Sequence, residues 1–206
     1  MEHKEPRISA KEVWQDLMAG NMRFVQGLFM GRNLLDLRRS LTRGQQPKAA
    51  VLCCSDSRAP AELIFDQSLG DLFVVRTAGL VLEPTSLGSL EYAVAHLNVP
   101  LLVIKGHESC GAVTAAVHHP DLEEGHIGAI VRQIVPAADR ARESGRHGAD
   151  LVEAATHYHL RSLAQTLRKN SPIIAQALAD NRLGLVVTKY FLHDGRVETL
   201  LTSDFF

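Results

Sequence analysis

Two short segments of this chain carry side chains that can do chemistry together. One reads Cys53-Cys54-Ser55-Asp56-Ser57-Arg58, the other Gly106-His107-Glu108-Ser109-Cys110-Gly111. Proteins bind zinc through thiolate, imidazole and carboxylate in a tetrahedral array, and Cys54, His107 and Cys110 offer two thiolates and one imidazole. The His-x-x-Cys spacing puts two of these groups on one side of a turn entering a helix. Cys110 is expected in that helix's first turn, where the N-terminal dipole favours a thiolate. Three protein ligands leave a fourth position for water, the catalytic rather than the structural arrangement, and zinc brings such a water's pKa to about 7. Asp56 has two exclusive options: it can be the fourth ligand, or it can pair with Arg58, whose guanidinium takes a carboxylate bidentately. The choice decides whether the site is closed or open. Cys53 is read as structural, because adjacent residues on a strand point to opposite faces.

The fold must bring the two segments together. Ala49–Cys53, Leu72–Val75, Leu101–Ile104 and Leu185–Val187 are short continuous apolar runs, the pattern of parallel strands buried on both faces. Helix-like stretches at 59–67, 85–97 and 110–118 separate them. The expected class is α/β, a mostly parallel sheet flanked by helices. Both chemical segments follow apolar runs directly, and ligands bind beyond the carboxyl ends of such strands. Residues 122–144 and 150–169 read as two further helices with Gly145 and Gly148 between them, and Ser171-Pro172 opens another running to about Asn181. Tyr190–Leu192, a turn at His193-Asp194-Gly195 and Val197–Leu201 predict an antiparallel C-terminal edge hairpin. At the other end, Ser9 and Glu12 have capping-box spacing, Val13, Leu17, Met18 and Phe24 form a stripe, and Gly27 is a stop. The whole of 1–206 is expected to be one domain.

Composition removes several functions. The chain has 206 residues, 46% of them hydrophobic, with 22 Lys and Arg against 23 Asp and Glu for a net charge of -1. That balance lacks the basic face nucleic-acid binding requires. No apolar run reaches the ~18–20 residues of a membrane span, and the charged N-terminus lacks a secretory apolar region. Three cysteines cannot build a disulfide framework, so the expected setting is the reducing cytoplasm. A thiol redox role for Cys53-Cys54 fares poorly, because vicinal cysteines bridge only with strain. His118, His119, His157 and His159 are read as lying on solvated faces, although a surface histidine could relay protons.

Cys54-x-Asp56-x-Arg58 followed by His107-x-x-Cys110-Gly111 closely resembles the β-class carbonic anhydrases. The resemblance extends to Gly44-Gln45-Gln46-Pro47, Gly70-Asp71-Leu72-Phe73-Val74-Val75-Arg76, Ser89-Leu90-Glu91-Tyr92-Ala93 and Gly20-Asn21-Met22-Arg23-Phe24. It implies that Cys54, His107 and Cys110 bind Zn2+ and that Asp56 and Arg58 form a gating dyad. It also implies that Gln45 hydrogen-bonds bicarbonate, from the neighbouring subunit in one reading. Phe73 and Tyr92 would wall the substrate pocket, and the Gly111 amide would contact substrate. The implied activity is reversible hydration of carbon dioxide to bicarbonate and a proton through zinc-bound hydroxide, falling off below neutrality as Asp56 closes the metal. The implied assembly is a homodimer or homotetramer, with the helical arm 1–30 packing on a partner subunit. Two alternatives share these residues: hydrolysis of carbon disulfide or carbonyl sulfide, and a non-catalytic zinc protein closed by Asp56. Thr77 and Leu80 depart from the family's commoner asparagines.

Overall fold

The computed structural model describes residues 8–121 and 125–203. Five strands form one sheet in the order β2-β1-β3-β4-β5: β1 (Ala49–Cys54), β2 (Leu72–Thr77), β3 (Leu101–His107), β4 (Gly184–Tyr190) and β5 (Val197–Thr202). The first four are parallel and β5 runs antiparallel to β4, which is the expected architecture including its edge hairpin. β1, β3 and β4 are buried along their whole lengths. Side chains on both faces of such strands are mostly apolar, hence continuous runs in place of alternation, with Lys105, Thr188 and Lys189 as buried polar exceptions. β3 extends past its apolar run because its pairing with β4 continues to His107, opposite Tyr190.

Eight helices cover the two faces among the described residues: α1 (Ala10–Gln26), α2 (Leu34–Ser40), α3 (Ala61–Ile64), α4 (Pro84–Ala95), α5 (Gly111–His118), α6 (Gly125–Glu143), α7 (Gly148–Asn170) and α8 (Pro172–Ala179). Ala50, Leu52 and Cys54 face a large layer that includes Leu90, Val113, Ile134, Leu160 and Ile174. Ala49, Val51 and Cys53 face a thinner layer with Val13, Leu17, Ile64 and Phe65. The two neighbouring cysteines therefore sit on opposite sides of the sheet, as strand geometry requires. Gly106 has a packing reason to be glycine: a Cβ there would meet Leu160 Cδ1 at 2.5 Å. Only four residues of the expected 59–67 helix are helical. Pro60 supplies its extended N-cap, and Asp66, in the left-handed region at φ 45, follows it.

Ser9 and Glu12 form the capping box of α1, and Gly27 ends it at φ 69. The α1 stripe packs on its own chain's sheet, and Asn21 secures it. Its amide donates to the carbonyls of Ile64 (3.1 Å) and Gly195 (2.9 Å), and its oxygen accepts from the Val197 N–H (2.9 Å). Residues 1–7 of the arm lie outside the described residues. Beyond α1 the surface becomes apolar: Leu28, Phe29, Met30, Leu34 and Leu35 are all exposed.

One buried carboxylate pins this segment. Asp66 accepts from Arg23 Nε (2.5 Å), Arg32 Nη1 (2.6 Å) and the Met30 N–H (3.3 Å). Burial pushes the Asp66 pKa up, but the Arg32 and Arg23 guanidiniums and the Met30 amide more than reverse this, leaving it below the ordinary carboxylate value. A depressed carboxylate pKa contributes stability that is fully present above the unfolded value of about 3.9 and is lost as pH falls through the folded value. Asp66→Asn should therefore cost about 2 kcal/mol near neutrality, a drop of roughly 4–8 °C in Tm. Calorimetric melts of both proteins should show that gap constant down to about pH 5 and closing only below about pH 4. A gap that has vanished by pH 6 would contradict the assignment.

Candidate metal centre

The chain passes from β1 to β2 on one side of the sheet, then back across to β3 on the other. The switch point lies between β1 and β3, and the carboxyl ends of strands at such a point are where open α/β sheets bind their ligands. Cys54 is the last residue of β1 and His107 the last of β3. A tight turn with Ser109 at φ 52 brings Cys110 back to the same place. Cys110 is the N-cap of α5 and not, as expected, a member of its first turn, because its backbone is extended at ψ 119. The N–H groups of Ala112 and Val113 still favour its thiolate.

Among the described residues, Cys54, His107 and Cys110 are the cluster able to hold a metal, with ligand atoms all within 4.8 Å of one another and all three residues buried. The sulphurs are 4.0 Å apart. That is about twice a disulfide bond, and close to the roughly 3.8 Å between two sulphurs each ~2.3 Å from a tetrahedral zinc. His107 Nδ1 lies 2.8 Å from the Glu108 carbonyl. A carbonyl only accepts, so Nδ1 carries the proton and Nε2 presents a lone pair. Nε2 is buried and has no hydrogen-bond partner in the chain. An unpaired buried nitrogen costs about 1–3 kcal/mol, and a cation between it and the two sulphurs would satisfy it.

The thiols behave as a pair. Cys54 is pulled well below the usual thiol range, first by the Cys110 S–H, against burial, and further by the N–H groups of Asp56 and Gly79. Cys110 is pushed up by that same bond and by burial. Two thiolates this close repel each other, and a dication is what allows both to ionise. The donor set fits zinc on its chemistry as well as its spacing.

Asp56 Oδ2 stands 3.9 Å from His107 Nε2, at the rim of the cluster. Both its oxygens are engaged: Oδ1 accepts from the Arg58 N–H (2.9 Å) and Nε (3.0 Å), and Oδ2 from Arg58 Nη2 (2.7 Å). The Arg58 guanidinium outweighs burial and holds the Asp56 pKa far below the carboxylate range. Of the two options open in the sequence, this structure has the paired one. Arg76 fixes the same loop by donating to the carbonyls of Cys54 (3.0 Å) and Asp56 (2.7 Å).

The remaining residues divide. Gly111 opens α5, so its N–H is one of the free donors of a helix start, beside Cys110. Phe73 stands four residues before Thr77, the register partner of Cys54, about 13 Å back along β2. Tyr92 packs near it, ring centres 6.2 Å apart, and is exposed. Gln45 comes before β1, whose first residue lies at the opposite end of the strand from Cys54, and is also exposed. None of the three is at this chain's own cluster. Leu80 is buried in the core, and the Thr77 hydroxyl donates to the Val81 carbonyl (2.9 Å).

Two histidine expectations need separating. His118 and His119 are exposed, as expected of a solvated face. His159 is not: it is only 2% exposed, and its Nε2 lies 2.7 Å from the Gly79 carbonyl. Its place in the series Ala155, His159, Leu163, Leu167 on the buried stripe of α7 was the signal. Arg76, quoted within a longer match, had no role assigned from sequence.

Comparison with known proteins agrees with this arrangement. A family model described as carbonic anhydrase matches residues 49–197. The chain is 43% identical over 197 residues to the carbonic anhydrase of Mycolicibacterium smegmatis, covering 94% of each chain. It is 40% identical over 195 residues to carbonic anhydrase 2 of Mycobacterium tuberculosis, covering 93% of each. Among solved structures, the β-carbonic anhydrase CcaA superposes with a TM-score of 0.74 at 29% identity, over 90% of this chain and 86% of that one. One of two tetrameric β-carbonic anhydrases from Sordaria macrospora shares the fold at a TM-score of 0.74 and 24% identity, over 82% and 88%. A thiolate–imidazole–thiolate cluster at the switch point of such a sheet, in a chain this similar to those enzymes, belongs to the β-carbonic anhydrase family.

Proposed function

We propose that this chain catalyses the reversible hydration of carbon dioxide with zinc held by Cys54, His107 and Cys110. The observation that carries the reading is the three-ligand cluster whose one neighbouring carboxylate is held away by Arg58. Zinc bound there supplies a Lewis acid that brings the pKa of water to about 7. The protein's own groups do the rest. The Nδ1–H bond to the Glu108 carbonyl keeps His107 in the ligating tautomer. Arg58 and Arg76 hold Asp56 and its loop so that the fourth position stays open. Asp56 is ionised throughout the neutral range, so it becomes a competing fourth ligand whenever the Arg58 fork opens. A permanently closed structural site would have no use for that fork.

Carbon dioxide is uncharged and apolar, and the wall it needs is supplied by Phe73 and Tyr92, with Gln45 orienting bicarbonate and the Gly111 N–H at hand. Gln45, Phe73 and Tyr92 stand far from this chain's own cluster, so they serve the site of a second copy. Several features support self-association as a dimer or tetramer. β2 is an edge strand, and Leu63, Leu69 and Tyr92 beside it are exposed. A groove of about 580 Å³ lies between Phe29, Met30, Leu34, Leu63, Leu69 and Leu72. The exposed residues Leu28, Phe29 and Met30 are then the part of the N-terminal arm 1–30 that packs on the partner. We place the enzyme in the cytoplasm on its three free thiols, and no helix among the described residues is long and apolar enough to cross a membrane.

Two experiments test this reading. Stopped-flow hydration on zinc-loaded protein at about pH 8 should be fast, should vanish in Cys54→Ser, and should fall as pH drops through about 7. A zinc-replete protein with no hydration, or one whose rate is level down to pH 6, would overturn it, and carbon disulfide would then be the next substrate. Mixing Gln45→Ala chains with inactive Cys54→Ser chains tests the shared pocket. If Gln45 acts across the interface, the mixed dimer has one complete site and activity returns. If Gln45 acts within its own chain, mixing restores nothing.

A further inference from the structure

The carbonic anhydrase reading leaves several buried titratable side chains unused, among them Cys53, Lys105 and His159. His159, on α7, is 2% exposed and makes a single hydrogen bond, from Nε2 to the Gly79 carbonyl at 2.7 Å. The carbonyl accepts, so Nε2 carries the proton. Burial, outweighing that bond, lowers the pKa of the ring and keeps it neutral. Nδ1 is then a bare lone pair, buried without any partner. Leaving it so is unfavourable, and a leucine on the same stripe would avoid that cost. What histidine supplies there and leucine cannot is the one donor to Gly79.

Gly79 is held in an unusual place. It belongs to a 3-10 turn over Ala78–Leu80, with φ 67 at Gly79 and φ 57 at Leu80, both in the left-handed region. A Cβ on Gly79 would stand 2.7 Å from Ile134 Cδ1 and 2.9 Å from Ala112 Cβ, so the turn is wedged against α5 and α6. On its other side the turn is tied to the end of β1: Thr77, two residues before Gly79, is the register partner of Cys54, and its carbonyl accepts from the Ser55 N–H at 3.2 Å. The turn thus lies against the strand end that carries a candidate ligand, while the Gly79 carbonyl is held by a histidine 80 positions later in the chain.

We propose that His159 is a positioning residue for the metal centre: its Nε2–H anchors the Gly79 carbonyl and thereby fixes the turn after Thr77 against the strand end that carries Cys54. The proposal rests on the zinc reading above. Nothing about the proton on His159 changes during turnover; its work is to keep a strained turn from relaxing away from the thiolate. Loss of such an outer partner typically costs 10–100-fold in metal affinity or activity.

The test uses the full chain with cobalt(II) and with zinc. His159→Met keeps an apolar stem and removes the donor, and His159→Gln returns an amide N–H close to the position of Nε2. His159→Met should lose zinc to a chelator at about 10–100-fold lower chelator concentration and should show a displaced thiolate-to-cobalt absorption band. His159→Gln should restore both. A His159→Met protein that binds zinc and absorbs like wild type overturns the proposal. Should His159→Met fail to fold, nitrogen-15 NMR of histidine-labelled wild type decides instead. The His159 Nε2–H signal should shift on zinc loading, and a signal indifferent to zinc overturns the proposal. Wild-type chain without a thiolate-to-cobalt band sinks the zinc reading and this proposal with it, whereas a band that ignores His159 sinks this proposal alone.

Discussion

Two sulphurs 4.0 Å apart in a buried crevice cannot both be ionised unless a cation lies between them. Much of the surrounding structure answers that constraint. The backbone around it favours negative charge: the N–H groups of Asp56 and Gly79 help to lower the Cys54 pKa, and those of Ala112 and Val113 oppose the rise at Cys110. The third donor, His107 Nε2, has its tautomer fixed by a backbone carbonyl. The nearest carboxylate is tied to a guanidinium fork. A site that attracts a dication so strongly and yet keeps a fourth ligand at arm's length is suited to activating a small molecule, not merely to stapling a fold.

That site exists only because the sheet delivers its parts. Parallel pairing puts the ends of β1 and β3 side by side, and the reversal of chain direction across the sheet leaves a crevice there. Burial on both faces makes the strands stiff supports. Lys105, in the centre of β3 and beside Cys53, is fully buried, with Nζ donating to the Ala59 carbonyl at 3.1 Å. Burial depresses its pKa to about 8. It lies on the face opposite Cys54, so the charge at the centre and the charge beneath it belong to different layers.

Much of this was legible in the residues themselves. Continuous apolar runs located the parallel strands, Ser9 with Glu12 located the start of α1, and Cys54, His107 and Cys110 declared themselves by donor type and by their place after strands. What stayed hidden depends on contacts between distant positions. The role of Arg76 appears only when β2 lies against β1. The burial of His159 follows from how α7 packs, although its apolar stripe already hinted at it. The helix after Pro60 is short because Asp66 is needed by two arginines of the N-terminal segment, a demand no local pattern announces. Gln45, Phe73 and Tyr92 match their motifs but lie away from this chain's own cluster. The resemblance named these residues and offered the neighbouring subunit as one place for Gln45, but no pattern in the chain gave their positions along the sheet.

X-ray absorption at the zinc edge, on protein purified without chelators and held at about pH 8, tests the central claim most directly. The account predicts two sulphur neighbours at about 2.3 Å and two nitrogen or oxygen neighbours at about 2.0–2.1 Å, with the sulphur shell reduced to one in Cys54→Ser. A shell of nitrogen and oxygen alone, or a sulphur shell unchanged by that substitution, would contradict it.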